Sequence, residues 1–148
     1  MNRTMTRLLV IACLAAVGGA QLSAQSAAQA GTAIVKKLNV LLAAHCARQP
    51  VLELTRAGTV VRKDRDGGTM TIDFSAIEAI DIDADGEAHV LLKCRGGKRC
   101  IETTGGAETS MPLVVFSISP AERGGEVARL FKDLRASLAG STKKQPRP

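Results

Sequence analysis

The side chains able to do chemistry crowd into one stretch, Thr69 to Thr103, which holds an acidic run, a basic tip and two cysteines. Asp81-Ile82-Asp83-Ala84-Asp85-Gly86 matches the first half of an EF-hand calcium loop, where alternating carboxylates supply oxygen ligands. The twelfth position, which in that loop needs a bidentate glutamate, is Leu92. Ile80 and Ile82 alternate with the acids as strand residues do. The run therefore reads as the acidic outer face of a hairpin, with a weak calcium site on Asp81, Asp83 and Asp85 as the alternative.

Arg95, Lys98 and Arg99, with Lys93 nearby, make a basic turn. It reads first as a solvated turn and second as an anion contact for lipid headgroups or an acidic partner. Cys94 and Cys100 enclose five residues, two of them glycines. A chain reversal there would bring the two within the Cα separation that a disulfide tolerates. The CxxC spacing at a helix start that lowers a thiol pKa is missing, so a clasp is favoured over a redox pair. Pairing of Cys46 with either one stays open. If Cys94 and Cys100 pair, Cys46 is left over and could link two chains if exposed.

Other chemistries find little support. His45 and His89 are the only histidines, and with scattered carboxylates they give no metal-ligand spacing. His45 reads as packing and His89 as surface. The paired glycines at 67–68, 96–97 and 105–106 sit in turns and not in a phosphate loop ahead of a helix. No nucleophile elbow or zinc-protease helix is present, so the expectation is a non-enzyme with no cofactor and no metal. Three Phe without Trp or Tyr leave no stacking platform for single strands, which argues against nucleic acid.

The elements that must position these residues begin with MNRTMTRLLVIACLAAVGGAQLSA. Arg3 and Arg7, an apolar run and small residues before Ala24 form the pattern of a secretory signal peptide over 1–24, with cleavage after Ala20 also fitting. Val10-Ile11-Ala12-Cys13 resembles a lipobox but lies inside the apolar run, not after it. Removing Arg3 and Arg7 lowers the net charge from +6 to +4. The implied compartment is the periplasm or the exterior, where cysteine pairs oxidise. No transmembrane segment is expected in the mature chain, and the expected partner is an unknown protein or envelope component.

Residues 25–31 read as a flexible lead-in, 32–140 as one α+β domain, and 141–148 as a disordered basic tail. Ile34, Leu38, Leu41, Leu42 and His45 mark one face of a helix over about 32–47, capped by Thr32, with Lys36, Lys37 and Asn39 on the other side. After Pro50 the period becomes 2, and seven short strands follow in hairpin order: 51–55, 59–63, 69–74, 79–83, 88–94, 100–103 and 113–118. Ser119-Pro120-Ala121-Glu122 has the form of a capping box. The helix beyond it presents Val127, Leu130, Phe131, Leu134 and Leu138 on one face and is expected to stop at Gly140.

Tight turns imply antiparallel pairing, and the expected architecture is a partly open barrel or sandwich closed by the last helix. The segment Thr71 to Ile80 and the helix Pro120 to Leu138 give an element order, over Val51 to Ala139, that resembles the pleckstrin-homology-like superfold. That resemblance implies a binding scaffold. In that family the basic loop lies between the first two strands, whereas here it lies much later. The functional expectation is an exported, non-catalytic binding or interaction module, with anionic headgroup or polymer binding by residues 93–99 as the alternative.

Overall fold

A computed structural model describes residues 6–105 and 108–142, with side chains for 26–105 and 108–139. The protein is α+β. Helix α1 (Thr6–His45) leads into strands β1 (Val51–Leu54), β2 (Val60–Lys63), β3 (Thr69–Ile72), β4 (Ile77–Asp85) and β5 (Glu87–Cys94). Strands β6 (Ile101–Thr104), β7 (Ser110–Met111) and β8 (Leu113–Ile118) follow, and helix α2 (Gly124–Thr142) closes the chain. The strands form two antiparallel sheets, β1-β2-β3-β6-β7 and β4-β5-β8, which are not closed into a barrel.

The two sheets are halves of one bent ribbon. Ile72 pairs with Ile101 in the first sheet, and Ile77 pairs with Cys94 in the second. Thus β3–β4 and β5–β6 are the two arms of a single long hairpin whose tip is Gly86. Between the two pairs, one arm inserts Asp73 to Ala76 and the other inserts Arg95 to Cys100. The third strand crosses the same corner with Pro112 alone, since Met111 pairs with Ile101 and the Cys94 N–H donates to the Pro112 carbonyl at 2.8 Å. Short 3₁₀ turns at Phe74–Ala76 and Arg95–Gly97 take up the surplus. Asp73 caps the first, its side chain accepting from the Ser75 N–H at 2.9 Å.

Phe116 lies at the centre of the core. Its ring meets Phe131 of α2 at 4.9 Å, and Phe131 meets Phe74 at 6.2 Å. Val127, Leu130, Phe131 and Leu134 are buried as their spacing implies, with Leu138 packed at the margin. On α1 the buried stripe is Val35, Leu38 and Leu42, continued just past the helix by Cys46, while Ile34 and Leu41 are its half-buried flanks. Period 3.6 fixes the stripe's width, and contact with β1 and α2 fixes its centre.

Several local expectations are corrected. Residues 25–31, expected as a flexible lead-in, are helical, and α1 runs through them. Gly31 is buried there, and a Cβ on it would lie 3.0 Å from Leu54 Cδ2. Thr32 is no cap: its hydroxyl donates back to the Ala28 carbonyl at 2.9 Å, the ordinary outlet for a mid-helix threonine. Asn39 is half-buried against β1. Its amide donates to the Leu52 carbonyl and its oxygen accepts from the Leu52 N–H at 2.7 Å, which satisfies the outer edge of β1.

The capping box is absent. Pro120 precedes a 3₁₀ turn, Ala121–Arg123, without a side-chain cap, and α2 starts at Gly124. Gly140 does not stop the helix, which ends at Thr142; most of the proposed tail, 143–148, lies outside the described residues. Gly124 has a packing reason. A Cβ there would sit 2.3 Å from the Ala88 Cβ, so only glycine lets α2 start directly on β5.

Candidate functional site: a disulfide-clasped basic loop

The corner positions the basic residues. Cys94 and Cys100 are joined by a disulfide with Cα atoms 5.8 Å apart. They do not face each other across a hairpin, as the spacing suggested, because β5 pairs with β4 and β8 and β6 with β3 and β7. The bond instead closes the neck of an excursion in one arm of the ribbon, so Cys94 and Ile101 take up the ladder on either side. Gly96 (φ 59) and Gly97 (φ 68) sit in the left-handed region, which lets so short a loop turn back on itself. The Gly96 N–H donates to Glu78 Oε2 at 2.9 Å, tying the loop to β4.

The four basic residues have separate fates. Lys93 Nζ lies 2.9 Å from Asp81 Oδ2, and Arg99 lies 2.8 Å from Glu108 while its Nε donates to the Ser110 carbonyl at 2.9 Å. Arg95 and Lys98 are exposed and make no ion pair or side-chain hydrogen bond among the described residues. The expected group of four thus resolves into two structural cations and two displayed ones.

The acidic run behaves as a strand. Asp81, Asp83 and Asp85 lie exposed on β4, and Asp81 is paired with Lys93. Among the described residues no group of three or more His, Cys, Asp or Glu could hold a metal ion. Cys46 is buried and free, so it is not placed to link two chains. His45 Nδ1 meets the Ser119 carbonyl at 3.2 Å and holds the approach to α2; His89 Nδ1 meets Ser117 Oγ at 3.1 Å.

One site escaped the sequence. Arg62 on β2 is buried with 3% exposure, and its Nε and Nη2 donate to the two Asp64 oxygens at 2.7 and 3.1 Å. Nη1 donates to the Val115 carbonyl at 3.1 Å, and the guanidinium lies 4.6 Å from the Phe116 ring centroid. Arg48 adds a second cation 3.6 Å from Asp64. Beside Arg62 an open groove of about 460 Å³ runs between Met70, Met111, Leu113 and Val115, with Arg48 and Glu108 also lining it. The available signal was parity: Val60, Arg62 and Asp64 share one strand face, and Val60 belongs to the core.

No helix among the described residues is long and apolar enough to cross a membrane. Compared with known proteins, the chain matches no family model, no curated protein and no solved structure.

Proposed function

We propose that the protein is an exported, non-catalytic binding module that holds anionic lipid headgroups through Arg95 and Lys98. The observation that carries this reading is that these two cations stand exposed, and unpaired among the described residues, on a loop closed at its neck by a disulfide. A closed loop loses little entropy when it docks, which favours binding by two charges alone. The signal-peptide pattern over 1–24 and the disulfide support export to the periplasm or exterior. The order of strands and closing helix that resembles the pleckstrin-homology-like superfold supports a binding scaffold.

The test is co-sedimentation with vesicles of phosphatidylglycerol in phosphatidylcholine. Each basic residue near an anionic surface contributes on the order of 1 kcal/mol. Arg95→Ala with Lys98→Ala is therefore expected to lower partitioning roughly thirtyfold, with no binding to pure phosphatidylcholine. Equal partitioning of wild type and variant would reject the proposal.

A further inference from the structure

We propose that a second copy of this chain docks antiparallel along the open edge of β4. The sheet order β4-β5-β8 leaves β4 at an edge, and every residue from Asp81 to Asp85 is exposed. Such an edge offers unpaired backbone groups to another strand. Ile82, 45% exposed, adds an apolar contact partway along it.

Charge selects the occupant and its direction. At the hairpin tip the edge carries Asp83 and Asp85, with Glu87 paired to Asp85 on β5, all exposed. At the other end the edge carries Glu78 with cations gathered around it: its carbonyl accepts from Arg135 Nη1 of α2 at 2.7 Å, and its side chain accepts from the Gly96 N–H, which anchors the loop bearing Arg95 and Lys98. Asp81, between them, is already paired with Lys93 at 2.9 Å. The edge is thus acidic at one end and basic at the other.

A two-fold axis near Asp81 brings Asp83 and Asp85 of each copy beside the other copy's basic end, and does so twice. A parallel arrangement would set acid on acid and cation on cation. A surface that complements itself under a two-fold axis fits an isologous dimer. The lipid reading is not required for this, but both use Arg95 and Lys98, so anionic vesicles and self-association compete for the same loop.

Sedimentation velocity of the purified protein over a concentration series tests it. Wild type is expected to dimerise at low salt and to dissociate as salt rises. Two charge-reversed variants, D83K/D85K and R95E/K98E, are each expected to self-associate at least tenfold more weakly. Their equimolar mixture is expected to regain dimers, because both contacts of the mixed pair become attractive. A wild type that stays monomeric at low salt, a salt-insensitive dimer, or a mixture that stays monomeric would each overturn the proposal. Circular dichroism checks that both variants keep their fold. Vesicle binding by D83N/D85N, which keeps the loop intact and adds no cation, separates failure here from failure of the lipid reading.

Discussion

Arg62 and Arg95 carry the same guanidinium and are used in opposite ways. Arg62 points into the body, where Asp64, the Val115 carbonyl and the Phe116 ring between them satisfy its charge, its donors and its flat face. Arg95 points out of a clasped loop and meets no partner among the described residues. A buried guanidinium must be paired because removing it from water is costly. An exposed one is solvated already and is free to be spent on another molecule. The contrast separates what holds this protein together from what it can offer to a ligand.

The sharpest way to break the contrast is at the buried end. Arg62→Ala leaves the Asp64 carboxylate buried with only Arg48 at 3.6 Å beside it. Removing one partner of such a pair costs about 3–5 kcal/mol, and Arg48 should hold the loss toward the lower figure. Urea unfolding would read this as a shifted midpoint at unchanged slope. The double change Arg62→Met with Asp64→Leu removes both charges and should recover most of the stability, since an apolar pair of similar volume is often neutral. If the double variant is no better than Arg62→Ala, packing over Phe116 and not the unpaired charge sets the cost.

The disulfide lies between these extremes. Replacing Cys94 and Cys100 by serine reopens a small ring, worth about 2 kcal/mol on the chain-entropy estimate. Arg62 lies on β2, outside the clasped excursion, so its environment should persist while the loop loosens. Near-native circular dichroism together with weakened vesicle binding would show that the clasp serves the loop. Loss of both together would show that it holds the corner of the whole ribbon.

The sequence exposed the displayed half of this contrast and hid the buried half. Alternation marked strands such as 69–74, and turn residues marked the hairpins, because strand period and glycine conformation are local properties. The cysteine clasp was visible from spacing, though its setting at a corner of one long hairpin was not, because that depends on which strands pair. Arg62 was passed over because a charged residue in a short strand is ordinarily on the wet face. Its burial depends on Phe116, far along the chain. The reason for Gly124, the approach to Ala88, is equally non-local. The displaced cap at Thr32 and the rotated stripe on α1 share that cause: the helix is long, and its neighbours choose where it is buried.

The smallest expected effect on stability is the one that matters most for function. Arg95→Ala with Lys98→Ala removes two exposed side chains without partners among the described residues, so the unfolding free energy should move by no more than about 0.5 kcal/mol. Arg99→Ala makes a useful contrast, because it breaks contacts to Glu108 and the Ser110 carbonyl. An exposed pair of that kind contributes up to about 1 kcal/mol. Stability should therefore rank Arg99→Ala below the double variant, while vesicle binding should rank them the other way. A residue that anchors the loop and residues that present it to a ligand would then be told apart by two measurements on the same proteins. If both variants lose binding in proportion to stability, the loop is only scaffold and the contrast between Arg62 and Arg95 is one of depth alone.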